Sequence, residues 1–162
     1  MLKLFRFICA VAVVAVGMAT AARAEAVVQV TLIGKAGTVD FSKSLNFGMG
    51  THGDMKKALM AVNVNPKVVP RGAVRFNVTN LASALLHEII LAEVDDENEL
   101  LAYDIAKNMV DEETIQTLAQ VAEIAPSKSA SFTLELKPGK YLLYCNYAGH
   151  YMAGMWTVIE VK

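Results

Sequence analysis

Only two cysteines and three histidines occur in the 162 residues, no segment repeats another, and basic residues do not outnumber acidic ones. The main apolar run, Phe7 to Met18, falls short of the roughly 20 residues needed to cross a bilayer. Lys3 and Arg6 precede it and Ala22-Arg23-Ala24 follows it, which is the three-part pattern of a secretory leader. Cleavage is expected between Ala24 and Glu25. Residues 1–24 then form a signal peptide and 25–162 a single periplasmic domain with no stable membrane insertion. Processing removes Lys3, Arg6 and Arg23 but no acid, leaving 12 basic residues against 16 acidic ones and a net charge of −4. A mildly acidic domain has no electrostatic case for binding nucleic acid. Cys9 leaves with the leader, so Cys145 stands alone. In an oxidising compartment a lone cysteine makes no internal disulfide, and unprotected it is open to oxidation.

About 138 residues remain, enough for one core. Val27 to Ile33 alternates as a first strand. Residues 34–61 are rich in Gly, Ser, Asn and His and read as a loop or insertion, with a short helix at Asp54 to Met60 capped by Asp54. Ala61 to Asn65 alternates until Pro66 stops it, and Val68-Val69 is expected to continue it. After the turn Pro70-Arg71-Gly72, the residues Val74, Phe76 and Val78 bury one face of a strand. Ile89 to Glu93 is a buried strand, and Asp95 to Glu99 an acidic turn. Asp111 caps a helical turn that points Ile115 and Leu118 inward. Gln120 to Ile124, Ala130 to Leu136, Tyr141 to Cys145 and Trp156 to Val161 complete the strands. About seven short strands with turn signals between them and one short helix describe an all-β sandwich.

The chemistry gathers near the C-terminus. Cys145, His150 and Met155 follow one another at even steps of five, with Gly149 and Gly154 directly before the last two. A thiolate, an imidazole and a thioether are soft and borderline donors that together favour copper. Two imidazoles and one thiolate with a weak axial thioether make a blue-copper electron-transfer centre. The missing imidazole must come from elsewhere; His87, opening an apolar run, is the candidate, and His52 is the only rival. Strands on either side of the loop would hold it rigid, and the two glycines would let it bend where residues with a Cβ could not. Met49, His52, Met55 and Met60 form a looser set, either a second copper-catching site or ordinary loop residues. No enzyme is expected. Three histidines are too few for a trinuclear copper centre, and Cys145 as a nucleophile lacks a recognised third group to orient its base.

Cys-x4-His-x4-Met after an alternating strand, with an upstream histidine opening another, resembles the cupredoxin family of small blue copper proteins. Pro138 to Cys145, followed by Ala148-Gly149-His150-Tyr151 and Ala153-Gly154-Met155, is similar in particular to plastocyanin-like and auracyanin-like exported bacterial members. The resemblance extends from about Ala61 to Lys162 and implies a Greek-key β-sandwich with one type 1 copper ion on His87, Cys145, His150 and Met155. It further implies a one-electron carrier, expected to be a monomer, whose transient partner, a cytochrome or an oxidase, docks near His150, Tyr147, Tyr151 and Met152. The other reading of the same four ligands is a copper-binding protein that buffers or delivers the metal in copper tolerance. Two features depart from the family. Many members follow the first ligand histidine with Asn, which braces the cysteine loop, where this chain has Glu88; and the segment Gly34 to Met60 has no counterpart in the smallest members.

Overall fold

The structure is a computed structural model that describes residues 24–34, 40 and 45–162. Apart from Ala24, the expected leader lies outside the described residues, as do 35–39 and 41–44 of the expected insertion. No helix among the described residues is long and apolar enough to cross a membrane.

The described chain forms β1 (Ala26–Gly34), β2 (Met60–Asn65), β3 (Val68–Val69), β4 (Gly72–Asn80), β5 (His87–Val94), β6 (Tyr103–Asp104), β7 (Met109–Val110), β8 (Thr117–Ile124), β9 (Ser129–Leu136), β10 (Gly139–Tyr144) and β11 (Trp156–Val161). One sheet has the order β2-β1-β4-β9, the other β3-β11-β10-β5-β8, and β6 pairs with β7 in a small ribbon. Alternation decides how the first sheet faces the second. Val28, Val30 and Leu32 of β1 and Val74, Phe76 and Val78 of β4 all turn inward and are fully buried. They meet Ile89 and Leu91 of β5, Leu143 of β10 and Ile159 of β11 in one core. Phe76 lies opposite Phe132 of β9, and the two rings stack at 4.8 Å between centroids.

In the second sheet β5 and β10 do not alternate. Every residue of β5 from His87 to Ala92, and of β10 from Tyr141 to Tyr144, is buried. A continuous apolar run is what a strand covered on both faces requires. On the outer face Ile90, Ala92, Leu142 and Tyr144 pack with Met49, Val110 and Tyr151, and Leu101, Tyr103 and Ile115 close the edge. The segments around residues 49 and 101–115 thus form a third layer over the second sheet.

The described residues form eleven strands, more than the expected seven or so, and three of them, β3, β6 and β7, have two residues each, too few to show a period. Val68-Val69 does not continue β2; it crosses to the opposite sheet and runs parallel to β11. The helix expected at Asp54 to Met60 is a single 3-10 turn, Met55–Lys57, capped by Asp54 accepting from the Lys56 N–H. It stops because the N–H groups of Leu59 and Met60 donate instead to the carbonyl of Ala153. Asp111 likewise caps a 3-10 turn, Glu112–Thr114, after which the chain extends and Leu118 enters β8 rather than a helix face.

Truncation of Phe76 to Ala should lower the stability of the metal-free protein by about 3–5 kcal/mol, read as a shifted urea midpoint with unchanged slope. Leu100→Ala, at an exposed position, should change it by less than about 0.5 kcal/mol.

Candidate metal centre

β5 opens with His87, and β10 ends at Tyr144 and hands the chain to Cys145. The two strands are antiparallel neighbours with Tyr144 opposite Ile90, so the start of one lies beside the end of the other. Tyr144 is also paired with Trp156, the first residue of β11, which makes residues 145–155 the turn of a hairpin. That turn is wound helically: His150 donates to the Tyr147 carbonyl, Ala153 to Gly149, and Gly154 to Tyr151. Gly149 and Gly154 sit at φ of +80° and +100°, the left-handed region that disfavours a side chain. The loop is closed across its base by Cys145 N–H donating to the Met155 carbonyl, while Met155 N–H donates to the His150 carbonyl.

Three donor atoms converge there. Cys145 Sγ stands 3.4 Å from His150 Nδ1 and 4.0 Å from His87 Nδ1, and the two Nδ1 atoms are 3.2 Å apart. His87, Cys145 and Met155 are completely buried, and His150 is 6% exposed. Burial lowers the pKa of His150 to about 4. It does the same for His87, the neighbouring His150 adding to the effect. Burial also pushes the Cys145 thiol up to about 12. At neutral pH the metal-free cluster is therefore uncharged. Both imidazoles offer lone pairs, and the thiolate forms when a cation arrives to stabilise it.

The residues fit a single copper ion. Donors each about 2.0–2.3 Å from a shared metal stand about 3–4 Å from one another, which is the spacing found. Two imidazoles and one thiolate, with the buried Met155 ending the same turn, match copper better than zinc, which favours a closed set of four strong ligands. His87, Cys145 and His150 are the one group of three or more His, Cys, Asp or Glu side chains among the described residues that could hold a metal.

Two supporting residues were not singled out as such from sequence. The N–H of Glu88 points at Cys145 Sγ, 3.5 Å away. Its carboxylate accepts from the Asn146 N–H at 3.0 Å and from Gln120 Nε2 at 3.0 Å. Burial raises the Glu88 pKa, and those two donors oppose the rise. Glu88 thus braces the start of the cysteine loop. Asn146 is buried too; its Nδ2 donates to the Val110 carbonyl at 3.0 Å and to Glu112 Oε1 at 2.7 Å, and its Oδ1 accepts from the Val110 N–H at 2.7 Å. The available signal was a polar residue inside an otherwise apolar strand or strand end, since such groups persist only when they are hydrogen-bonded.

Other expected residues are dispersed. Met60 belongs to the main core and Met49 to the outer one, while His52 and Met55 are exposed, so the looser Met/His set forms no site. Tyr151 does not line a surface: it is buried, and its hydroxyl accepts from the Met49 N–H at 3.0 Å. Tyr147 and Met152 are half-buried, and the Tyr147 ring stands edge-on to His150 at 5.8 Å.

The chain has the cupredoxin fold, two sheets with a His/Cys/His cluster where β5 opens and β10 ends. It is similar to reduced auracyanin from the photosynthetic bacterium Roseiflexus castenholzii, with a TM-score of 0.51 and 18% identity over 87% of this chain and 99% of that one. It is also similar to rusticyanin from Thiobacillus ferrooxidans, with a TM-score of 0.50 and 18% identity over 86% of this chain and 79% of that one; rusticyanin is described as a copper protein. No family model and no curated protein matches the sequence.

Asn146→Ala should destabilise the metal-free protein by about 1–3 kcal/mol, because it strands the buried Val110 N–H; denaturant titration measures this. The two histidines set a pH dependence. Their folded pKa values of about 4 lie below the unfolded value near 6.5, so between those limits the unfolded chain binds more protons. Metal-free stability should hold above about pH 6.5 and fall as the pH drops toward 4. Replacing both histidines with Gln should flatten that slope in thermal melts.

Proposed function

We propose that the protein is a periplasmic one-electron carrier with one type 1 copper ion bound by Nδ1 of His87, Nδ1 of His150 and Sγ of Cys145, with the Met155 thioether as a weak fourth ligand. The observation that carries this is the buried, preassembled cluster of two imidazole nitrogens and one sulfur, 3.2–4.0 Å apart. Bound copper supplies a centre that alternates between the +1 and +2 states. The protein's share is to hold the donors still and keep them dry. Two packed strands fix His87 and Cys145, and Glu88 with Asn146 pins the cysteine loop. A buried thiol pushed up to about 12 is poorly suited to act as a nucleophile on a substrate, so a carrier role fits better than an enzymatic one.

The second reading, copper buffering or delivery, uses the same ligands but requires the ion to leave. The segment from Phe47 to Met60 opposes that. Phe47 N–H donates to the Met152 carbonyl and Phe47 accepts from Trp156 Nε1 at 2.6 Å, while Leu59 and Met60 both hold the Ala153 carbonyl. An ion enclosed by a strapped loop is retained while electrons pass. The half-buried Tyr147 and Met152 beside His150 offer a small contact area, suited to a transient redox partner, and the exposed acidic residues Asp95 to Glu99 would steer a basic one.

Copper(II) added to the metal-free protein should give one equivalent bound and an intense visible thiolate-to-copper band, which Cys145→Ser abolishes. The bound copper should cycle through reduction and reoxidation in the presence of a competing chelator without loss. Absence of the band would overturn the copper assignment. A band that disappears into the chelator after one reduction would select buffering or delivery over electron transfer.

A further inference from the structure

The two imidazoles of the cluster do not meet the same surroundings. His87 turns Nδ1 toward Cys145 and His150, and its other ring nitrogen, Nε2, is buried with no hydrogen-bond partner among the described residues. What lies against it is Gly34, the last residue of β1, and Leu85. A methyl group placed on Gly34 would stand 3.1 Å from Nε2, 3.3 Å from Cε1 and 3.3 Å from Leu85 Cδ1. A side chain at position 34 would thus crowd the ring edge and make it give by a few tenths of an ångström, and Leu85 Cδ1 lies beside the same point. A metal-binding histidine almost always donates its outer N–H to a carboxylate, a carbonyl or a water, which fixes the ring and makes the ligating nitrogen more basic.

We propose that Gly34 and Leu85 withhold that acceptor from His87, and that the missing hydrogen bond makes His87 a weak donor and biases the site toward copper(I). The inference rests on the copper reading above and extends it to the redox poise of the same site. With the ion on Nδ1, the ring proton must reside on Nε2. An acceptor at that proton would draw it outward and push electron density to Nδ1, stabilising the more highly charged copper(II). Against Gly34 and Leu85 no such shift occurs. Enclosure acts in the same direction, because a dry pocket disfavours additional charge. Gly34 and Leu85 are positioning residues: they lie beside the ligand ring and supply no donor of their own to the ion.

The test is voltammetry of the copper-loaded full chain carrying Leu85→Gln, which brings an amide oxygen to the Nε2 side of the ring, beside Leu85→Met, which keeps the wall apolar. The expected result is that Leu85→Met matches the parent and Leu85→Gln has the lower potential. Gaining an outer partner should favour copper(II) over copper(I) by about tenfold, which for one electron is about 59 mV. A second measurement needs no variant: in the copper(I) parent, the His87 Nε2 proton should exchange slowly and resonate as an N–H without an acceptor. Equal potentials in Leu85→Gln and Leu85→Met, or a strongly downfield-shifted hydrogen-bonded Nε2 proton in the parent, would overturn the proposal. In either case an intact thiolate band would leave the copper reading standing. Absence of the band in the parent would overturn that reading and this one with it.

Discussion

The structure depends on keeping two imidazole nitrogens and one sulfur a few ångströms apart inside a dry core. Two imidazoles and a thiol with no charge between them gain little from one another, and each loses its water on burial. They are held there by the strands. β5 begins and β10 ends at the same edge of the second sheet, and both strands are buried on both faces. Neither His87 nor Cys145 can turn outward without pulling an apolar strand through the core. The cost of seating them is set against burial of Ile89, Ile90, Leu142 and Leu143, all fully enclosed, each worth about 1.5–3 kcal/mol.

A buried polar network then converts strand position into ligand position. Glu88 links β5 to the residue after the cysteine, and Asn146 links that residue to Val110 and Glu112 in the third layer. A buried carboxylate left alone would cost more than it gives, but one accepting from Asn146 and Gln120 is satisfied, and its own N–H reaches the cysteine sulfur. Glu88 can therefore be buried beside the cysteine. The outer layer is not an appendage, because Val110 and Glu112 hold Asn146 and the Asn108 carbonyl accepts from the Gly149 N–H.

Local signals in the chain were legible where period or proximity carried them. Alternation in 74–78 and 130–136 shows which side of β4 and β9 faces inward, and Cys145, His150 and Met155 announce themselves because they share one hairpin turn. His87 stands out because it opens an apolar run, with His52 its only rival, and the structure sets its Nδ1 3.2 Å from that of His150. What could not be read are contacts between residues far apart in sequence: Glu88 with Asn146, Gly34 with His87, and the β6–β7 ribbon against the ligand loop, where Gly149 N–H donates to the Asn108 carbonyl. The two helix caps were correct and the helix lengths were not. A cap is set by one side chain, whereas the length depends on which carbonyls the next N–H groups meet, and for Leu59 and Met60 that carbonyl belongs to Ala153.

The glycines of the ligand loop sharpen the question of rigidity. A turn with two left-handed residues is conformationally permissive, and local sequence alone would leave it loose. The surrounding chain removes that freedom. A methyl on Gly154 would lie 2.6 Å from Ala58 Cβ and 3.0 Å from the Met60 carbonyl, so the glycine that permits the bend also admits the strap that locks it. A methyl on Gly48 would lie 2.6 Å from Met152 Sδ, so the strap approaches as closely from its other end. The freedom that lets Gly154 bend and the close approach of residues 58–60 that restrains it thus meet at one position.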